Sequence, residues 1–173
     1  STTTTTTTTT TQACTLVPDP LSNVVGPCQV EPTFGTWVQV GADIDGVLAG
    51  ESSGSSVAMS SDGSIVAVGS GVADLVRVYG SSGGIWTQLG NDIVPDTASS
   101  FGTSLALSSN GNTLAVGAPV DGGDSGGRSV GRVRTYSFDS TDWVQFGEDF
   151  VGEANFDRLG SSVALSGEGN ILA

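Results

Sequence analysis

From residue 34 onward the chain is written in short runs of apolar residues broken by Gly, Ser, Asp and Asn. Ser55–Ser60 alternates apolar and polar positions and stops at Ser61-Asp62-Gly63, a hairpin signal. Ser64–Gly69 returns as Ile-Val-Ala-Val, an apolar run suited to a strand buried on both faces. Asp74–Tyr79 alternates again, and Ile85–Leu89 carries a Trp before closing at Gly90. The same four-strand pattern follows over 103–108, 113–117, 131–138 and 142–146. No segment combines a helical period with caps, so the expected class is all-β.

The pattern is an internal repeat. Gly54, Gly102 and Gly160 mark three registers, spaced 48 (102 − 54) and 58 (160 − 102). Trp37-Val-Gln39-Val-Gly41, Trp86-Thr-Gln88-Leu-Gly90 and Trp143-Val-Gln145-Phe-Gly147 recur at 49 (86 − 37) and 57 (143 − 86). The longer second unit takes its extra residues in Asp121–Val130, between its second and third strands. A β-patterned period near 50 predicts β-propeller blades of four antiparallel strands. Residues 34–173 then hold a spare fourth strand (34–41), two blades and half a third, fewer than the four to eight blades that close a ring. The runner-up architecture is an open β-stack whose edges are interfaces. Small residues such as Val57-Ala58 and Ala115-Val116-Gly117 suit strands converging on an axis. The three Trp are expected to form apolar plates between blades rather than to stack on a ligand. The three Gln are expected to satisfy backbone groups at the rim.

Phe101-Gly102 followed by Gly117-Ala118-Pro119 resembles the two ends of the FG-GAP repeat, which builds the propeller of integrin α-subunits and related extracellular proteins. The resemblance covers about 34–173, and only the middle unit spells both halves. The first has Ser53-Gly54 with Gly69-Ser70-Gly71, and the third has Leu159-Gly160. Trp-x-Gln-x-Gly strands make it most similar to divergent members found in large extracellular proteins. Many such repeats carry an Asp-x-Asp-x-Asp-Gly calcium loop between the halves. Here that place holds Ser61-Asp62-Gly63-Ser64, Ser109-Asn110-Gly111-Asn112 and Gly167-Glu168-Gly169-Asn170. Calcium takes six to eight oxygens, so at most one carboxylate per turn argues against a site there. Asp121 and Asp124, in the Gly-rich insert, are the remaining metal candidates. The competing reading, a solvated surface loop with Arg128 nearby, is preferred. Asp139, Asp142, Glu148, Asp149 and Glu153 read as a solvated acidic rim.

The N-terminal 33 residues differ in kind. Thr2, Thr3, Thr4, Thr5, Thr6, Thr7, Thr8, Thr9, Thr10 and Thr11 form an unbroken run. One reading is a low-complexity tail; the other is an O-glycosylated segment, extended because β-branched side chains disfavour helix, and packed against a neighbouring subunit. Residues 1–12 are that segment and 13–33 a linker holding Pro18, Pro20, Pro27 and Pro32. Cys14 and Cys28 are expected to pair with each other, two free thiols or a bond to another chain being the alternatives. Closing such a loop stabilises by about 3 kcal/mol.

Composition narrows the function. The 173 residues carry 18 acidic and 5 basic groups, a net charge of −13, with no His. Phosphate binding needs clustered cations, so nucleic acid is not an expected partner, although Arg128, Arg132 and Arg134 lie close together in sequence. Chemistry that depends on His is excluded. No apolar run is long enough to span a bilayer, and residues 1–13 lack the regions of a signal peptide. Ser is abundant, but none sits in a Gly-x-Ser-x-Gly elbow with a plausible base, and no carboxylate pair is marked out for glycoside hydrolysis. The expectation is an extracellular or cell-surface structural or adhesive glycoprotein, not an enzyme and without cofactor, self-associating into a filament or matrix by head-to-tail strand contacts. The alternative is a ligand-binding propeller, lectin-like or of adhesion-receptor type.

Overall fold

The computed structural model describes residues 38–96, 99–122 and 129–173. The Thr run, Cys14, Cys28, Trp37, Asp124 and Arg128 lie outside them. Alternation and hairpin signals do produce strands where expected: β1 (Ser56–Met59), β2 (Ile65–Ser70), β3 (Leu75–Ser82), β4 (Ile85–Gln88), β5 (Ser104–Leu107), β6 (Thr113–Ala118), β7 (Arg132–Phe138) and β8 (Trp143–Gln145). A ninth, β9 (Phe150–Val151), has no counterpart in the sequence reading. The described residues contain no helix.

The strands form two antiparallel sheets. The first runs β1-β2-β3-β4; the second runs β5-β6-β7-β8, with β9 also pairing β7. The registers are equivalent, so Val68 faces Arg77 in one sheet and Val116 faces Arg134 in the other. A third hairpin begins at the C-terminal side, where Leu165 bridges Leu172 and the Ala164 and Ala173 backbones exchange hydrogen bonds. In both sheets the fourth strand breaks at its Gly and returns to the third. Ile93 bridges Val76, and Phe150 pairs Val133. Two residues are too few to carry a period, which is why β9 was not legible.

β5 packs on β1 and β2, and the core lies between the sheets. Val76, Val78, Ile93, Phe101, Leu114, Val116, Tyr136 and Trp143 fill it. Phe101 is fully buried and meets Tyr136 edge to face, with centroids 6.2 Å apart. The repeated Gly residues are explained by the approach of one unit to the next. The Ser56 hydroxyl donates to the Gly102 carbonyl (2.6 Å), and Ser104 does the same to Gly160 (2.7 Å). A Cβ on Gly69 or Gly117 would overlap that carbonyl and that hydroxyl.

Two more hydrogen bonds recur between successive units. The Ser61 N–H donates to the Ser109 carbonyl (3.0 Å), and the Ser109 N–H to that of Gly167 (2.8 Å). The Trp86 indole donates to the Val40 carbonyl (2.9 Å), and the Trp143 indole to that of Leu89 (3.1 Å). Gly41 and Gly90, at φ 77° and 73°, leave room for the following Trp. Trp86 and Trp143 are therefore bound to the preceding unit by a directional bond as well as by area. Trp143→Phe keeps most of the packing against Phe138 and loses the bond, so about 1 kcal/mol of destabilisation is expected in urea unfolding.

Candidate functional site

The polar residues gather in two repeated constellations. The first is the hairpin turn. The Ser60 hydroxyl donates to the Asp62 carboxylate (2.7 Å) and accepts from the Ile65 N–H (2.9 Å), while the Ser64 N–H and hydroxyl donate to the same oxygen at 3.0 and 2.8 Å. In the second unit the Ser108 hydroxyl donates to the Asn110 amide oxygen and accepts from the Thr113 N–H, and the Asn112 N–H donates to that same amide oxygen, Asn112 having no hydroxyl to match that of Ser64. A carboxylate and an amide oxygen thus serve as the same acceptor in the two turns. Donation by the Ser64 N–H and the two hydroxyls holds Asp62 at about 2.

That depression has a sign. A carboxyl whose folded value lies below its unfolded one contributes stability above the unfolded value, here 3.8, and loses it as pH falls through the folded value. The melting temperature is expected to fall between about pH 4 and 2, and to fall less in Asp62→Asn. A chelator at neutral pH is expected to leave it unchanged.

The second constellation surrounds the Arg of the third strand. Arg77 pairs with Glu51 through Nη1 (2.6 Å) and with Asp92 through Nε (3.0 Å). The Glu51 side chain is 2% exposed and that of Arg77 is 9%. Glu51 also accepts from the Val47 and Leu48 N–H groups. The Leu48 N–H, aided by Arg77, holds its carboxyl below the usual range against burial. The Gln88 amide donates to Asp92 (2.8 Å). In the second unit Arg134 pairs with Asp121 and Asp149 (both 3.2 Å), Arg132 with Asp149 (2.6 Å), and the Gln145 amide donates to Asp149 (2.6 Å). Burial pushes Asp149 up, and the two guanidinium groups outweigh it, leaving the carboxyl below its ordinary value. Burial pushes the Tyr136 hydroxyl up to about 12.

The sequence-based expectations are revised accordingly. Asp121 is buried and meets two guanidinium groups rather than open solvent. Asp149, read as part of a solvated rim, is an ion-pair partner, and Asp142 accepts from the Asn91 backbone and amide of the preceding unit. Gln39 and Gln88 do reach the Gly41 and Gly90 carbonyls, yet their shorter bonds go to Asp43 and Asp92, four residues on. The full strand motif is thus Trp-x-Gln-x-Gly-x-Asp. Glu51 was missed because its counterpart in the second unit is Ser99, the second acid arriving instead from Asp121. No group of three or more acidic residues is arranged to hold a metal among the described residues. A cleft of about 370 Å³ opens beside the first pair, walled by Leu48, Val72, Leu75 and Val94, with Glu51, Arg77 and Asp92 at its polar side.

No protein-family model matches the chain, and no curated protein matches it either. Among solved structures, hydrazine synthase of Kuenenia stuttgartiensis is similar at 16% identity with a TM-score of 0.42, over 78% of this chain and 31% of that one. This chain therefore spans about a third of that protein's length.

Proposed function

We propose that the chain is a β-propeller-type repeat segment of divergent FG-GAP kind in an extracellular structural or adhesive glycoprotein. Its units stack through a common contact set, and copies associate head-to-tail into a filament or matrix. One observation carries this reading. Leu105 and Leu107 of β5 are packed against the first sheet, whereas their equivalents Val57 and Met59 on β1 are 64% and 58% exposed. An apolar face built to receive a neighbouring sheet is thus presented outward. The ion pairs support the scaffold role, since each charged group singled out on the third strands is engaged within its own unit. The Thr run would carry O-linked sugars and the Cys14–Cys28 bond would tie the linker.

The test is electron microscopy of the purified chain beside a Val57→Lys/Met59→Lys double variant. Filaments or sheets are expected from the parent and dispersed particles from the variant, both substitutions being on exposed side chains. A parent that stays monomeric at high concentration, or a variant that assembles equally well, overturns the proposal. The lectin-like alternative is favoured only by the cleft beside Glu51 and Arg77, and it would show as saturable glycan binding by dispersed particles.

A further inference from the structure

The two units differ in charge at one place on the rim. In the second, Arg132 starts β7 with its Nη1 2.6 Å from Asp149 Oδ2 and its Nε 3.4 Å from Asp121 Oδ2. Arg134 meets the same two acids, so two guanidinium groups balance two carboxylates. The registers make Leu75 the counterpart of Arg132, since Ser70 faces Leu75 as Ala118 faces Arg132. Counted from Gly69 and Gly117, Ala73 is the counterpart of Asp121. The first unit therefore sets Glu51 and Asp92 against Arg77 alone, an excess of one negative charge. Its smaller Ala73 and Leu75 line the cleft of about 370 Å³, where the second unit holds the Asp121–Arg132 pair.

The cleft has the chemistry that an arginine side chain needs. Leu48, Val72, Leu75 and Val94 offer apolar walls to an aliphatic stem, and Asp92 offers a carboxylate to its head. Both bonds that the described residues make to Asp92, from Arg77 and Gln88, fall on Oδ1. Asp149 accepts from Gln145 on Oδ1 and from both guanidinium groups on Oδ2. The Asp92 side chain is 42% exposed, against 20% for Asp149 under Arg132. The mouth of the cleft lies on a rim that a preceding unit does not close. Val120 and Val151, the counterparts of Val72 and Val94, are 46% and 47% exposed although the first sheet packs against their unit. Residues 1–37 contain no Lys or Arg, so they have no side chain of this kind to offer.

We propose that this cleft is a docking site for a single arginine side chain projecting from a partner protein, whose guanidinium pairs with Asp92 as that of Arg132 pairs with Asp149. Arg is a better guest than Lys, because a guanidinium is more weakly hydrated and presents a planar fork to a carboxylate. The net charge of −13 draws a basic partner towards the surface. The inference uses the equivalence of the two units, and neither filament formation nor glycan binding.

The test is a nuclear magnetic resonance titration of the full chain with acetyl-Gly-Arg-Gly-amide. The same peptide with citrulline, which keeps the shape and drops the charge, is the control. The arginine peptide alone is expected to shift the Gln88 side-chain amide and the Val72, Leu75 and Val94 methyl signals in a saturable way. Asp92→Asn keeps an Oδ1 acceptor for Arg77 and Gln88, and is expected to weaken binding at least about tenfold. Leu75→Arg, which copies the second unit, is expected to fill the cleft from within. The Gln88 amide signal should then stand near its peptide-bound position with no peptide added, which unfolding would not produce. Arg128→Gln is expected to bind as the parent does. No saturable shift, an equal response to the citrulline peptide, or equal affinity in Asp92→Asn overturns the proposal. So does binding that appears only in Arg128→Gln, which would make that arginine the occupant. Arginine binding by a strictly monomeric chain rejects only the filament, and filaments without arginine binding reject only the docking site.

Discussion

Replacing Arg77 by Ala is expected to destabilise the fold by about 3–5 kcal/mol, because it strands a buried carboxylate rather than merely deleting a contact. Glu51 would keep only the Val47 and Leu48 N–H groups, in a position almost closed to water. Asp92 lies nearer the surface and keeps its bond from Gln88, so its share is smaller. Replacing both partners with apolar residues, Glu51→Leu with Arg77→Met, should recover part of the loss, since neither leaves an uncompensated charge. Recovery stays incomplete because the two N–H donors of the 47–51 turn lose their acceptor. Urea midpoints of the parent, the two single variants and the double variant check this. A single Arg77→Ala loss below about 1 kcal/mol, the range of surface ion pairs, would show that the pair is solvated.

Phe101→Ala should cost about 3–5 kcal/mol as well, by a different route. Its ring is fully buried between the sheets, touches Tyr136 edge-on and lies under Arg134. Truncation opens a cavity that the surrounding strands, held by their hydrogen-bonded registers, cannot collapse into. Phe101→Leu should cost less, about 1–2 kcal/mol, since Leu refills much of the volume and is the residue at position 159 of the third register. Thermal melts of the two variants distinguish these cases. Equal losses would mean that the edge-on contact with Tyr136, rather than volume, dominates.

Much of the fold was legible because its signals are local. Ser61-Asp62-Gly63 and Ser109-Asn110-Gly111 fix the hairpins within four residues, and Ile65–Gly69 shows its two-sided burial as an unbroken apolar run. The site was less legible because its parts are not local. Arg77 finds Glu51 across 26 positions, before the first strand, and Arg134 finds Asp121 across 13, in the connection between β6 and β7. A repeat comparison aligns the arginines, and Asp92 with Asp149, but misses Glu51 and Asp121, because those two occupy non-equivalent positions. The seventh residue of Trp-x-Gln-x-Gly-x-Asp was visible in all three copies, but its meaning depends on the break after Gly90 and Gly147 that turns the chain back to the third strand.

The second unit is longer than the first by the insert between β6 and β7, yet the contacts joining successive units barely differ. The turn bond is 3.0 Å from the first unit to the second and 2.8 Å from the second to the third, and the two Ser-to-Gly bonds are 2.6 and 2.7 Å. Chain length has been uncoupled from stacking geometry at one place. A change of length between Gly122 and Ser129 is expected to leave the turn bonds and the Ser-to-Gly bonds between units as they are. Units of unequal length can thus share one rise from sheet to sheet, as steps of unequal depth share one riser.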